Sequence, residues 1–196
     1  MALPGLYDCF QHWGERNAVW VISDTHFGDK DIQKAFPNRP SDEELIKNIN
    51  QKVGKTGTLL LLGDVGDIEC AKQLKGYKVL IAGNHESGLE KYKEVFDMVF
   101  SGPVMLGEKL LLSHEPVPNV DWCMNLHGHT HDSRAKNDKY HLNVCADVIG
   151  YTPINLNQFL KSGALSKIQT VHRQTVNSAT ARARKRGYKL SDRNKK

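Results

Sequence analysis

The stretch AVWVISDTH, residues 18–26, is a short apolar run that ends in a carboxylate and an imidazole. Its apolar part is rich in β-branched and aromatic residues, which is typical of a buried strand. Asp24 and His26 alternate along an extended segment, so their side chains share one face. The stretch therefore predicts a strand that delivers two potential metal ligands to the same place.

Four further patches follow the same design, with Asp, Asn or His at the end of an apolar run. They are Gly63-Asp64 after residues 58–62, Gly83-Asn84-His85 after residues 77–82, Ser113-His114 at the end of residues 110–113, and Gly128-His129-Thr130-His131 after residues 122–127. A single Asp-x-His or His-x-His pair is more often a surface or core feature than a metal site, but five patches in this order are not expected by chance. The glycines let the backbone turn tightly or approach an ion closely. Together the patches hold enough ligands for two adjacent metal ions, an arrangement suited to attack on phosphate esters.

The order of the predicted elements indicates the fold class. Strands alternate with helices first along the chain, and strands predominate afterwards, which predicts an α/β layered domain whose strand ends meet at one rim. One helix is marked by a capping box at Ser41 and Glu44, by apolar residues at helical spacing, and by Gly54 at its end. Residues 27–40, with a glycine, two prolines and mixed charge, are predicted to form a long loop.

The charge of the chain is unevenly distributed. The chain has 196 residues, which suits one domain, and its longest apolar runs are too short to span a bilayer. Residues 1–10 do not resemble a secretory signal, so we expect a cytoplasmic protein without membrane contact. Residues 167–196 hold ten Lys or Arg and one acidic residue, a net charge of +9. Residues 1–166 hold 17 Lys or Arg and 21 acidic residues, a net charge of −4.

This division predicts a domain over residues 1–166 and a basic C-terminal extension over residues 167–196. The extension is polar from about residue 170, so we expect it to be flexible when free, or to be a helix that needs a partner. Its RARKR run, residues 182–186, suits the phosphates of a nucleic acid. The alternative is a solvated tail that only aids solubility.

The order of the five patches, D-x-H, G-D, G-N-H, H and G-H-x-H, resembles the calcineurin-like metallophosphoesterase superfamily. Residues 19–159 are similar in particular to its compact bacterial and bacteriophage members, which begin with a stretch like ISDTHFG, carry Asn-Arg-Pro in the first loop and close with a strand like residues 142–148. The resemblance implies a four-layer αββα sandwich, with the metallophosphoesterase domain in residues 1–166 and two metal ions at the strand ends. Ligands of the Asp, Asn and His type suit Mn, Fe, Zn, Ni or Co, with Mn favoured, rather than Ca or Cu(I).

The same resemblance implies roles for individual residues. The first metal would be held by Asp24, His26 and His131, the second by Asn84, His114 and His129, and Asp64 would bridge the two. Together with Asn84, His85 would contact the phosphate, and His85 would protonate the leaving oxygen. Asp67 would orient His85, and a helix cap or surface turn is the alternative for this carboxylate.

Two positions depart from the family pattern. Glu86 stands where many relatives have Asp, and Ala82 stands where relatives often have Arg, so one cationic phosphate contact is missing. Arg39, on the predicted first loop, is the nearest candidate to replace it, and a solvated loop arginine is the alternative. His127 is expected to pack or to support the site rather than to bind metal.

The predicted function is that of a dinuclear metal-dependent phosphoesterase that acts on phosphodiesters of the nucleotide or nucleic-acid type. Two cations would lower the pKa of a bridging water, so that hydroxide attacks phosphorus while His85 gives a proton to the leaving oxygen. The alternatives are a phosphomonoesterase, or a nucleic-acid-binding protein with a weak or structural metal site. Residues 27–40 and 115–120 would shape the substrate site, and the sequence carries no signal for the oligomeric state.

Overall fold

Two β-sheets stack face to face in this computed structural model, which describes residues 3–132 and 138–187. The strands in chain order are β1 (Val19–Ile22), β2 (Thr58–Leu61), β3 (Tyr77–Ile81), β4 (Met98–Phe100), β5 (Val104–Gly107), β6 (Leu110–Leu112), β7 (Met124–His127), β8 (His141–Asn143) and β9 (Ile154–Asn155). The first sheet has the order β4-β3-β2-β1-β9, and the second has the order β5-β6-β7-β8.

Parallel pairing aligns the strand ends that carry the candidate ligands. In the first sheet β1, β2, β3 and β4 are parallel, with Ile22 opposite Leu61, and β9 runs antiparallel to β1. In the second sheet β6, β7 and β8 are parallel, and β5 is antiparallel to β6. Because the carboxyl ends of parallel strands leave a sheet at one edge, the polar patches after β1, β2 and β3 emerge side by side.

The helices in chain order are α1 (Gln11–Arg16), α2 (Lys30–Ala35), α3 (Asp42–Val53), α4 (Ile68–Lys72), α5 (Leu156–Lys161) and α6 (Val171–Lys185), with short 3₁₀ helices at Asp8–Phe10 and Leu89–Glu94. Alternate residues of the first sheet pack in opposite directions. Val21 and Leu60 join Leu126 of the second sheet in one buried cluster, whereas Leu61 joins Ile49 of α3 in another. Burial on both faces explains why these strands are continuous apolar runs rather than alternating ones.

The expected fold class is confirmed: the chain is a single mixed α/β domain with two sheets flanked by helices. Helix α3 begins and ends where predicted. The Ser41 hydroxyl accepts the backbone N–H of Glu44 at 3.3 Å, and Gly54 ends the helix with a positive φ of 63°.

The prediction of a continuous loop over residues 27–40 is wrong, because α2 lies within it. Asp29 caps this helix by accepting the backbone N–H groups of Asp31 and Ile32 at 2.9 and 3.2 Å. An Asp cap followed by helix-compatible residues was the local signal, and the nearby glycine and prolines obscured it.

The part of the basic extension that the structure describes forms α6. Thr170 caps it by accepting the backbone N–H of Arg173 at 3.3 Å, and the helix buries none of its residues. Of the two predicted forms, a free flexible tail or a helix, the structure has the helix over residues 171–185, and the boundary at residue 166 stays a prediction. Among the described residues no helix is both long and apolar enough to cross a membrane.

Candidate metal centre

The first ligand group combines the end of β1 with the turn after β7. Asp24, His26 and His131 each offer a ligand atom, and these atoms lie within 4.8 Å of one another. His131 Nε2 is 3.6 Å from Asp24 Oδ1. Asp24 and His26 are buried, so this group is largely withdrawn from solvent. These are the residues predicted to hold the first metal.

The second ligand group draws on four strand ends. Asp64, His114 and His129 offer ligand atoms within 4.8 Å of one another. Asn84 Oδ1 lies 2.8 Å from His114 Nε2 and 3.1 Å from His129 Nδ1. The structure therefore brings together the residues that were predicted to hold the second metal.

Asp64 lies between the two groups. Its Oδ2 atom is 3.5 Å from His26 Nε2 of the first group and 3.3 Å from His114 Nε2 of the second. One carboxylate thus contacts a ligand nitrogen on each side, which is the geometry that a bridging ligand requires.

The residues of the centre fit divalent cations. His26 Nε2 is buried and has no hydrogen-bond partner among the described residues, although a buried ring nitrogen normally has one. His114 Nε2 and His129 Nδ1 lie only 3.1 Å apart and share the Asn84 oxygen. Nitrogen and oxygen atoms that converge in this way, from Asp, Asn and His, are suited to transition-metal cations.

Four of the predicted ligands have a left-handed backbone. The φ angles are 58° at Asp24, 43° at His26, 52° at Asp64 and 66° at His129. Non-glycine residues rarely adopt this conformation, and each instance costs on the order of 1–3 kcal/mol. Such strain at adjacent ligands indicates that the backbone is held in this form in order to aim their side chains.

Glycines make room for the ligands, as the sequence predicted. A Cβ atom on Gly63 would lie 2.6 Å from both the backbone nitrogen of Gly83 and His114 Nδ1. A Cβ atom on Gly128 would collide with the side chains of Ser23 and Asp24. Close backbone approach, rather than turn geometry alone, therefore requires glycine at these positions.

Burial and the clustered carboxylates perturb the pKa values of the ligands. Burial lowers the pKa of His26 and outweighs the opposing charges of Asp64 and Asp24. Burial acts in the same direction on His114, but its hydrogen bond to Asp64 and the charges of Asp24 and Asp64 prevail and raise its pKa to about 9. Burial alone would raise the pKa of Asp64, but its hydrogen bond to His114 and the charge of His114 lower it. Without a cation, the carboxylates of Asp24 and Asp64 therefore favour a proton on His114. A bound divalent cation would neutralise the same two carboxylates in place of that proton.

His85 lies beside the cluster and faces solvent. Its side chain is 58% exposed, its Nε2 atom is 3.8 Å from Asp64 Oδ2, and its ring meets the ring of His26 edge-on at 5.2 Å. Its backbone N–H donates to Asp64 Oδ1 at 3.1 Å. An exposed imidazole beside buried ligands is in the position expected of a group that meets a substrate.

Asp67 caps α4. Its carboxylate accepts the backbone N–H of Glu69 at 2.9 Å, and the residue is exposed. Within residues 3–132 and 138–187, no hydrogen bond or ion pair joins Asp67 to His85. The helix cap that the sequence left open as an alternative is therefore its observed role, and the orientation of His85 by Asp67 stays a prediction.

A model of the calcineurin-like phosphoesterase family matches residues 18–186. The chain belongs to this family. Membership confirms the resemblance and identifies the protein as a phosphoester hydrolase of a metal-binding family.

Among similar solved structures, the one with a TM-score above 0.5 supports the fold. A protein of unknown function from Aquifex aeolicus is 26% identical with a TM-score of 0.62, over 74% of this chain and 98% of that chain. A nuclease from Pseudomonas putida is 21% identical with a TM-score of 0.41, over 61% of this chain and 63% of that chain. A predicted phosphoesterase from Streptococcus pneumoniae is 15% identical with a TM-score of 0.34, over 65% of this chain and 70% of that chain. A search of curated proteins gave no match.

Arg39 of this phosphoesterase is buried behind the first ligand group. Its guanidinium donates to a carboxylate oxygen of Asp147 at 2.5 Å and to the backbone carbonyls of Asp24 and Thr25 at 2.7 and 2.5 Å. The side chain is only 3% exposed, so the alternative of a solvated loop arginine is wrong. A phosphate contact, the role predicted for Arg39, would require these hydrogen bonds to break.

Asp147 is a site residue that sequence reasoning missed. Besides Arg39 it accepts a hydrogen bond from His131 Nδ1 at 2.7 Å and one from the Tyr151 hydroxyl at 3.0 Å. Asp147 follows an apolar run that continues from β8, the same pattern that marks the ligands, and this signal could have found it. With His131 and Cys145 it also forms a third group of close ligand atoms, but the guanidinium of Arg39 against Asp147 opposes a cation there.

Glu86 connects the loops after β2 and β3. Its carboxylate accepts the backbone N–H groups of Asp64, Val65 and Gly83 at 2.8, 2.9 and 2.6 Å. The position that departs from the family pattern thus holds the loop that carries Asp64.

His127 has the packing role that was predicted for it. Its side chain is buried, and its Nδ1–H donates to the carbonyl of Gly128 at 2.9 Å.

Two cavities adjoin the centre, one at each ligand group. One has a volume of about 590 Å³ and is lined by Phe36, Tyr151, His131 and Asp147, with Phe36 stacked on the ring of His131 at 5.3 Å. The other has a volume of about 360 Å³ and is lined by Asn84, His114 and segments 101–103 and 115–118. Each ligand group of this phosphoesterase therefore borders a space that opens to solvent.

Proposed function

We propose that this phosphoesterase is a dinuclear metal-dependent phosphodiesterase that acts on nucleotide or nucleic-acid diesters. The observation that carries the proposal is Asp64, whose Oδ2 atom lies within 3.5 Å of a ligand nitrogen in each of two groups. A single structural ion would need only one such group. Two adjacent groups that share a carboxylate are the arrangement used for displacement at phosphorus.

Each group has a proposed ion, and the chain supplies the ligands. The first ion would be held by Asp24, His26 and His131, the second by Asn84, His114 and His129, and Asp64 would serve both. Manganese is the ion we favour, although Fe, Zn, Ni and Co suit the same ligands. When bound, the ions would supply activation of water near neutral pH and neutralisation of the charge on the phosphate oxygens.

The side chains around this centre would orient the substrate and move the proton. His85 reaches solvent while its backbone N–H is fixed on Asp64, so its Nε2 atom can donate a proton to the leaving oxygen. The amide nitrogen of Asn84 remains to contact a phosphate oxygen while its Oδ1 atom faces His114 and His129. Four residues of the centre, Asp24, His26, Asp64 and His114, are buried, which strengthens these charge interactions.

The two cavities favour a diester over a monoester. A monoester has one organic substituent, and a single space beside the metals would accept it. A diester has two, and one space adjoins His131 of the first ligand group while the other adjoins Asn84 and His114 of the second. The larger space is lined by the rings of Phe36 and Tyr151, which suits the flat face of a base. A phosphomonoesterase is the alternative.

Helix α6 is the proposed contact for a longer nucleic acid. Its cations, with no acidic residue among residues 171–187, favour a polyanionic partner. A hydrogen bond from Gln174 to the carbonyl of Asp121, at 3.3 Å, joins the start of the helix to the segment that continues from residues 115–118 beside the second cavity. A protein that only binds nucleic acid, with a weak or structural metal site, is the non-catalytic alternative.

The test compares a diester with a monoester, and a nitrophenolate with an alkoxide leaving group, in the presence of manganese. We expect turnover of bis(p-nitrophenyl) phosphate to exceed that of p-nitrophenyl phosphate, and Asp64→Ala to abolish both together with manganese binding. His85→Ala should retain manganese and lose about 100-fold or more on a dinucleotide, because an alkoxide needs a proton. It should lose much less on the nitrophenyl esters, since nitrophenolate leaves without one. His172→Ala, an exposed histidine of α6, is the control. Absence of any ester turnover with any divalent metal would contradict the proposal.

A further inference from the structure

A buried ion pair supports the first ligand group from behind, and among the described residues no carboxylate outside the ligands themselves supports a histidine ring of the second. We define the Arg39–Asp147 clamp as Arg39, Asp147 and Tyr151. We infer that this clamp makes the first metal position the tighter of the two, so that it fills before the second. The inference rests on the proposed two-metal function and adds an order of filling to it.

Asp147 acts on the first group through His131. Because His131 Nδ1–H donates to Asp147 Oδ2 at 2.7 Å, the proton lies on Nδ1 and the lone pair of Nε2 points towards Asp24, 3.6 Å away. A carboxylate behind a ligand histidine fixes its tautomer and ring orientation, and loss of such a partner lowers metal affinity about 10- to 100-fold. Asp147 is therefore a positioning residue for the first ion.

Arg39 acts on the same group through the backbone. One guanidinium nitrogen donates to the carbonyls of both Asp24 and Thr25, which belong to the left-handed turn that aims Asp24 and His26. The other nitrogen donates to Asp147, so one side chain joins the turn after β1 to the support of His131. The pair is 3% and 2% exposed, and its opposite charges balance inside the protein.

Among the described residues, the histidine rings of the second group have no supporting carboxylate other than the ligand Asp64. His129 is exposed, and its Nδ1 atom faces the neutral oxygen of Asn84 and the ring of His114. Within the part of the chain that the structure describes, no carboxylate forms an ion pair with the ring of His129. His114 is held by the backbone carbonyl of Leu62 at 2.8 Å. An ion there would gain a more solvated and less constrained set of ligands than an ion in the first group.

The test is a calorimetric titration of manganese into metal-free protein, supported by spin resonance to distinguish single from paired ions. The wild type should show one class of tight manganese-binding sites and one class of weaker sites. Asp147→Asn, which keeps the shape and removes the charge, should weaken the tight class about 10- to 100-fold and leave the weaker class in place. His129→Ala should remove the weaker class and retain the tight one. Asp138→Asn, which removes the carboxylate paired with His141 outside both ligand groups, is the matched control.

A general loss of folding would weaken both classes alike, so circular dichroism of each metal-free variant accompanies the titration. If Asp147→Asn does not fold, Arg39→Lys replaces it in the test. Lysine keeps the positive charge but loses the guanidinium nitrogen that donates to both the Asp24 and Thr25 carbonyls. Equal classes in the wild type, or equal weakening of both in a folded clamp variant, would overturn the inference alone. A wild type that binds no manganese, or only one ion, would instead contradict the proposed two-metal function.

Discussion

Asp24 and His129 belong to different ligand groups, yet the two carboxylate oxygens of Asp24 accept the backbone N–H of His129 at 2.9 and 3.1 Å. A proposed ligand of the first metal thus sets the backbone position of a ligand of the second. The contact depends on Gly128, which lets the turn after β7 lie directly against Ser23 and Asp24.

The first prediction follows from that close approach. Gly128→Ala should reduce phosphodiesterase activity by about 100-fold or more, because displacement of His129 by even about 1 Å spoils the alignment of the reacting groups. Gly102→Ala is the control, since a Cβ atom there meets nothing within 4 Å although residue 102 lines the neighbouring cavity. Initial rates on bis(p-nitrophenyl) phosphate give the comparison. Equal activity in the two variants would show that the turn tolerates displacement.

The second prediction concerns Glu86, which accepts the backbone N–H groups of Asp64, Val65 and Gly83. Glu86→Ala should lower the free energy of unfolding by about 2 kcal/mol or more, because three donors lose a charged acceptor. Manganese binding should weaken as well, since the loop that carries Asp64 loses its support. Glu90→Ala, which removes an exposed ion pair with Lys93, should change stability by less than about 1 kcal/mol. Urea unfolding with and without manganese measures the stability and the manganese affinity of each variant. A loss of stability without a change in manganese affinity would mean that Glu86 supports folding but not the metal centre.

The third prediction concerns pH. In the metal-free protein the pKa of His114 is raised from its usual 6.5 to about 9, so its charged form stabilises the folded state fully below pH 6.5. That contribution, about 3 kcal/mol at most, is lost as the pH rises from 6.5 through about 9. The difference in free energy of unfolding between wild type and His114→Gln, measured in a chelator, should shrink over this window. Manganese affinity should rise over the same window, because the ligand form of histidine is neutral. A difference that stays constant with pH would contradict the raised pKa.

The fourth prediction tests the larger cavity. Phe36→Leu should raise the KM for a dinucleotide about 5-fold or more, because base stacking contributes on the order of 1–3 kcal/mol. The change in kcat should be smaller, since the ligand side chains are intact. Phe36→Tyr keeps the ring and serves as the control. An unchanged KM in Phe36→Leu would mean that the substrate does not occupy the space beside His131.

The fifth prediction concerns α6. Truncation at residue 170 should weaken binding of single-stranded nucleic acid and flatten its dependence on salt, since fewer phosphates would be neutralised. Replacement of Arg182, Arg184, Lys185 and Arg186 by Gln should do the same while the helix is kept. Hydrolysis of bis(p-nitrophenyl) phosphate provides the control and should not change. Equal binding and equal salt dependence before and after truncation would reduce the extension to a solubilising role.

The metal-ligand residues could be predicted because their signal is local. Each of them directly follows an apolar run, and parallel pairing then brings the strand ends of β1, β2 and β3 together. The grouping of Asp24 with His131, which follow strands of different sheets, was implied only by the resemblance to the calcineurin-like family. The class of fold follows from the same alternation of strands and helices.

The supporting residues could not be predicted in the same way. Arg39 and Asp147 are 108 residues apart, and no local pattern shows that a loop arginine will be buried against a carboxylate. The sequence placed Arg39 near the phosphate because only its charge was visible. For Asp67 the local signal of a helix cap and the functional hypothesis competed, and the observed hydrogen bond is that of the cap.

Both ligand groups take residues from the two sheets: Asp24 and His26 from the first meet His131 from the second, and Asp64 meets His114 and His129. An ion in either position would therefore cross-link the sheets, much as a disulfide joins distant segments. Removal of the metal by a chelator should loosen the contact between the two sheets, while the hydrogen bonds within each sheet persist. Faster amide exchange along the strand ends, with little change in helix and strand content, would be the first sign of metal loss.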